Sequence, residues 1–261
     1  MTAVTYAPPL VGAKEPTRPG MATLTLVEMR KMIDTRSGKW LLAIIALLSV
    51  AVVTIGVIVG TRADRTFLNL FMFTLLPTAL ILPVLGILLV TAEWSQRTAL
   101  TTFTQVPQRP RIAAAKVLAG IVFSVLALLT SIVMSAIGNL VVVALDRGSG
   151  GWRLPAADLG QPLLLVALSV VMGIAFGMVF LNSPFAIVVY FLAPIVISAV
   201  TGIFAAIRDT MRWLDINSAQ SPLIGERLTG EQWAQLGTAS ALWILLPLAL
   251  GLLRLTRSEL K

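Results

Sequence analysis

Histidine and cysteine are both absent from the 261 residues, and each absence removes a class of chemistry. Without cysteine there are no disulfides and no thiolate metal sites. Without histidine, Ser-His hydrolysis, a histidine-bound zinc and a histidine-ligated haem are excluded. Charge is scarce as well: Asp, Glu, Lys and Arg make up 12% of the chain, against about 25% in an ordinary soluble domain. None occurs between Asp158 and Arg208. A proton- or ion-driven carrier usually keeps a carboxylate or histidine within the membrane, because a group must change charge during its cycle. The apolar blocks contain neither, and they hold no buried lysine for a Ser-Lys pair. Work done by this chain is therefore expected to draw on an external energy source.

What the chain does have is apolar surface, with 57% hydrophobic residues and a mean hydropathy of +0.91. A transmembrane helix needs about 20 apolar residues to cover a ~30 Å hydrocarbon layer. Six segments reach that length: 40–60, 67–92, 117–145, 162–181, 184–207 and 236–253. The fourth and fifth are divided only by Asn182-Ser183-Pro184, a turn signal that makes the pair a hairpin. Lipid leaves backbone amides no partner outside their own segment, so the spans are helices; barrel strands would alternate in polarity, and these segments do not. Pro77, Pro83, Pro194 and Pro247 fall inside spans, where a bend is the usual outcome. The expected fold is an all-α integral membrane protein, with residues 1–21 a disordered cytoplasmic tail and 22–261 one six-helix domain.

The charges sort by side. With six spans, both termini share one face, which carries thirteen Lys and Arg against five Asp and Glu, while the other face carries seven of each. The whole surplus of +8 lies with the termini. Positive-inside orientation then places both termini in the cytoplasm, and nucleic acid is not needed as a partner to explain the charge. Ahead of the first span, Leu26, Val27, Met29 and Ile33 alternate with Glu28, Arg30, Lys31, Asp34 and Arg36. This reads as an interfacial helix along the headgroups or as a plain basic flank; Met29 and Met32 sit off its best stripe.

The segment between the second and third spans, 93–116, looks built for contact. Glu93 and Arg97 are spaced for an exposed helical ion pair, which contributes only about 0.3 to 0.5 kcal/mol, so stability is not its main use. Leu100 and Phe103, three apart among Thr98, Thr101, Thr102 and Thr104, form a small apolar knob suited to a groove on a partner. Pro107 and Pro110 are expected to stop this helix.

Glu93, Thr98, Arg109 and Lys116 fall at the intervals where membrane permease subunits of type-2 ABC exporters carry an acid, a Gly-Thr pair, the Arg of Pro-Val-x-Arg and a Lys seven residues on. The chain resembles that family, with two departures: Arg97 stands where Gly is usual, and Pro107 comes one residue late. Glu28, Lys31 and Thr35-Arg36 before the first span, the six spans, the long segment before the last span and the Arg254, Arg257, Glu259 ending are similar too. The resemblance implies that Glu93, Arg97, Thr98, Leu100, Phe103 and Arg109 form or flank a coupling helix seated in a cytoplasmic ATPase. It implies two ATPase copies carrying ATP and Mg, and a second permease chain, most simply a homodimer, in a bacterial cytoplasmic membrane. The chain itself has no phosphate cradle, since Gly38-Lys39 follows Ile33 where the first Gly of G-x-x-x-x-G-K-[ST] would stand.

Residues 208–235 are long for a connection and are expected to pack over the outer mouth, with Trp233 at the interface and Thr229 to Gln232 a capping box opening the last span. Among span residues, Asn69, Phe73, Met134 and Asn139 are named as a path for lipophilic cargo, though small polar residues and Phe or Met in spans more often join helices or face lipid. The alternative function is a membrane anchor or scaffold that regulates a partner and transports nothing.

Overall fold

The computed structural model describes residues 19–95, 108–148, 151–153, 159–203, 208–224 and 227–257. Among them the secondary structure is helical, with no strand. The helices are α1 (Met21–Asp34), α2 (Arg36–Val59), α3 (Phe67–Ser95), α4 (Arg109–Ala144), α5 (Gly160–Phe180), α6 (Ser183–Ile203), two short pieces α7 (Arg208–Met211) and α8 (Ile216–Gln220), and α9 (Gly230–Arg257). Six of these, α2 to α6 and α9, are long and apolar enough to cross a membrane, and the chain is a multi-pass membrane protein.

At the centre of the bundle stand α3 and α5. Their backbones nearly touch: a Cβ at Gly86 would lie 2.8 Å from the Val170 carbonyl oxygen, and one at Gly173 would overlap the Pro83 carbonyl oxygen. Small residues permit this approach, which is how spans gain packing contacts when lipid removes the hydrophobic drive between helices. The flanking α4 and α9 lean on the same axis, with Gly120 against Ile174 and Gly251 against Met178. By contrast α2 and α6 are peripheral and present most of their surface outward.

Each expected span falls on one long helix, with most ends within four residues and with α4 and α9 starting eight and six residues early, and several of the differences have local causes. Leu181, the cap of α5, adopts a left-handed conformation at φ 53°, and Asn182 then accepts from the Phe185 amide at 3.0 Å to open α6. Pro110 lies in the first turn of α4, where its missing N–H is no loss, and the helix that Pro107 and Pro110 are expected to stop lies outside the described residues. In α9 the chain passes Pro247 by way of a widened π turn, Ala241–Leu245, so that the lost i→i−4 bond falls beside a turn already out of register. The capping box is present: Thr229 Oγ1 accepts from the Gln232 amide, and Gln232 Oε1 accepts from the Thr229 amide at 2.8 Å. Hydroxyls inside the spans mostly satisfy themselves, as Thr78 donates to the Thr74 carbonyl, Ser124 to Gly120 and Ser169 to Leu165.

α1 is a separate helix, ended at Thr35, whose extended backbone and side-chain cap start α2. It packs on α4 through Leu24, Glu28 and Met32, one residue per turn. Met32 is thus on the buried stripe rather than off it, because that stripe runs through a glutamate.

Candidate functional site

Buried glutamate is the start of the site. Four charged side chains from three helices close a ring at the end of the bundle where α1 lies. Lys31 Nζ donates to Glu28 Oε1 at 2.7 Å and to Glu93 Oε1 at 2.6 Å. Lys116 Nζ lies 2.7 Å from Glu28 Oε2 and 3.0 Å from Glu93 Oε1, and donates also to the Leu89 carbonyl at 2.9 Å. Glu28, Glu93 and Lys116 are each under 10% exposed. Each acid meets two cations and each cation two acids, so the ring is neutral, and all three Lys116 protons have acceptors.

This arrangement replaces two expectations. Glu93 is not solvent-exposed: its carboxylate is buried in the last turn of α3 between two lysines, while Arg97 lies outside the described residues. A buried lysine also exists, since α4 begins at Arg109 and carries Lys116 inside the packed end. Its ammonium is committed to two carboxylates and a carbonyl, which leaves it no role as a free base. For Lys31, burial alone would lower the pKa, yet the Glu28 and Glu93 carboxylates outweigh it and hold the ammonium above the usual lysine value.

Desolvating such charges is costly, and their mutual attraction only roughly offsets it. Removing one partner of a buried pair costs about 3–5 kcal/mol, whereas apolar replacement of the whole set is often neutral. What the ring does fix is geometry, since it ties α1, α3 and α4 together at one point.

The ring lies at one root of residues 96–107, which include Arg97, Thr98, Leu100 and Phe103; these four lie outside the described residues. The other root is anchored as well. Arg109 donates through Nη1 to the Leu255 carbonyl at the end of α9, and Arg111 Nη2 donates to the Pro19 carbonyl at 2.8 Å. Glu93 and Arg109 thus connect the two ends of one short segment to α1, α4 and α9.

At the opposite end, residues 208–224 dock on α6 and α9. Asp215, 1% exposed, caps α8 by accepting from the Asn217 amide at 3.0 Å, and it also accepts from Ser198 Oγ at 2.9 Å and Ser218 Oγ at 2.6 Å. Trp243 Nε1 donates to the Leu214 carbonyl at 2.7 Å. Below this layer a cavity of about 440 Å³ lies between α3, α5, α6 and α8, lined by Leu80, Met172, Tyr190, Phe191, Asn217 and Gln220, among others. Gln220 Nε2 is buried there without a described partner.

The four residues named for a cargo path do not line one cavity. Asn69 donates to the Asp64 carbonyl at 3.0 Å, tying down the turn before α3. Phe73 lies half-open beside Gly56 of α2. Met134 lines a separate groove between α2 and α4. Asn139 is fully buried in α4, with neither side-chain atom partnered among the described residues. Sequence reasoning singled out Glu28, Lys31, Glu93 and Lys116 by their spacing but not their meeting, because the partners across helices lie as far as 62 and 88 residues apart. No family model matches the chain, and no curated protein matches its sequence.

Proposed function

We propose that this chain is the membrane-spanning subunit of an ATP-driven exporter of the type-2 ABC class, moving a lipophilic compound outward across a bacterial cytoplasmic membrane. One observation carries the reading: both roots of residues 96–107 are fastened to different parts of the bundle end, Glu93 through the charge ring and Arg109 through α9. A push on that segment is delivered to α1, α3, α4 and α9 together, as a rigid-body change between inward and outward openings requires. The segment would sit on a cytoplasmic ATPase, with both termini on the same side in line with the positive-inside distribution. Two such chains and two ATPases, the latter holding ATP and Mg, would complete the pump. The cavity under residues 208–224 is the better candidate for cargo, since its wall is largely apolar and Gln220 offers one donor to an oxygen acceptor on the compound.

The test is purification of the chain from its native membrane and reconstitution with whatever Walker-motif ATPase is recovered with it. ATP-dependent accumulation of a lipophilic dye is expected, and truncation of both Leu100 and Phe103 to Ala should leave ATP hydrolysis running while accumulation stops. Undiminished accumulation in that variant removes the coupling role. Failure to recover any ATPase, with a different protein bound instead, favours the scaffold function.

A further inference from the structure

The face of the bundle formed by α2 and α4 carries a second concavity that the transport reading does not use. It is a groove of about 420 Å³, walled by Val50, Val53 and Val57 of α2 and by Ile137 and Val141 of α4, with Arg147 at its rim. Thr54, the one hydroxyl in the wall, donates to the Val50 carbonyl at 2.7 Å and so leaves the surface apolar. Val50, Ile137 and Val141 are 48%, 52% and 42% exposed, on helices that cross the membrane, so the groove opens to lipid.

We propose that this groove is a fixed seat for one phospholipid of the surrounding bilayer, with an acyl chain along the valine walls and the phosphate on Arg147. Length fits: from Val50 to Ile58 the wall rises eight steps of ~1.5 Å, or about 12 Å, close to the ~15 Å depth of one hydrocarbon leaflet. Charge fits as well. Arg147 follows closely on the end of α4, at the level where spans end and phosphates begin. Its guanidinium is exposed and meets no carboxylate among the described residues, whereas nearby Arg62 is held by Asp146 through the carbonyl at 2.8 Å and the carboxylate at 3.7 Å.

Arg65 fixes the rim. It donates through Nη2 to the Ile58 carbonyl at 3.1 Å and through Nη1 to the Arg147 carbonyl at 2.6 Å, joining the two walls, and its Nε stays buried without a described acceptor. An apolar slot ending in one uncommitted guanidinium complements a molecule that is hydrocarbon below and phosphate above. The seat is independent of what the protein transports.

The experiment is native mass spectrometry of the chain released from nanodiscs holding phosphatidylglycerol, phosphatidylethanolamine and diacylglycerol in equal amounts. One phospholipid of either headgroup should stay bound per chain, and diacylglycerol should not. Arg147→Gln should weaken retention by about fivefold, the factor that ~1 kcal/mol represents, while Arg62→Gln retains the lipid as the unaltered chain does. Val141→Trp, which fills the slot without touching a charge, should abolish retention independently. Equal retention of diacylglycerol, an unchanged Arg147→Gln, or equal loss in Arg62→Gln overturns the proposal. So does displacement of the lipid by a lipophilic dye, which would make the groove part of the cargo path.

Discussion

Lys116 Nζ lies 2.7 Å from Glu28 Oε2 across 88 residues of chain, in a setting where both side chains are almost wholly buried. With Lys31 and Glu93 the pair forms a neutral ring, so the group acts as a unit. Glu28→Gln or Lys116→Met alone should lower stability by about 3–5 kcal/mol, because each leaves an uncompensated buried charge. Replacing all four with Leu or Met should recover most of that loss. Thermal unfolding in detergent reads both, and a quadruple variant no more stable than the singles would show that the ring stabilises the bundle outright.

The contact between α3 and α5 depends on having no side chain at one point. Gly173→Ala puts a methyl group into the Pro83 carbonyl and should cost about 1–3 kcal/mol, as overpacking does. Gly237→Ala is the control: nothing lies within 4 Å of that site, and better helix propensity should add up to ~1 kcal/mol. Equal melting shifts in the two variants would mean that the α3–α5 backbones leave room for a methyl group at Gly173.

Asn139 tests whether an unpartnered amide serves the fold or the cargo. With neither Oδ1 nor Nδ2 bonded among the described residues, Asn139→Leu removes a desolvation cost of about 1–3 kcal/mol per orphaned group and should raise the melting temperature. A rise with transport intact makes the residue structural. Transport lost at raised stability places it on the cargo path.

Alkaline pH reaches the ring through Lys31. Its folded-state pKa stands above the ordinary 10.5, so its contribution is complete below that value and fades as pH climbs through the raised one. The melting temperature should hold this contribution from pH 7 to about 10 and lose it above 10.5, and Lys31→Arg, whose guanidinium stays protonated beyond pH ~12, should shift the loss upward. Identical alkaline profiles for the unaltered chain and the Lys31→Arg variant would assign the loss to other groups.

Span length and composition made the six long helices legible, because lipid demands about 20 apolar residues whatever the partners are. Local chemistry was legible too: the Thr229 capping box is written in four consecutive residues, and the α5–α6 turn in three. The ring was not, since no local pattern distinguishes a glutamate aimed at solvent from one aimed at a lysine on another helix. Lys116 reads as the flank of a span, but the helix that carries it begins seven residues earlier, at Arg109, and packs its ammonium against α1 and α3.

The ring also sets an order for synthesis. As the nascent chain leaves the ribosome, Glu28 and Lys31 emerge first, Glu93 joins after two spans, and Lys116 comes last. Until Lys116 arrives, the two acids of the ring share one of its two lysines, and the ring cannot close. The third span thus completes a set of charges that begins in the first helix.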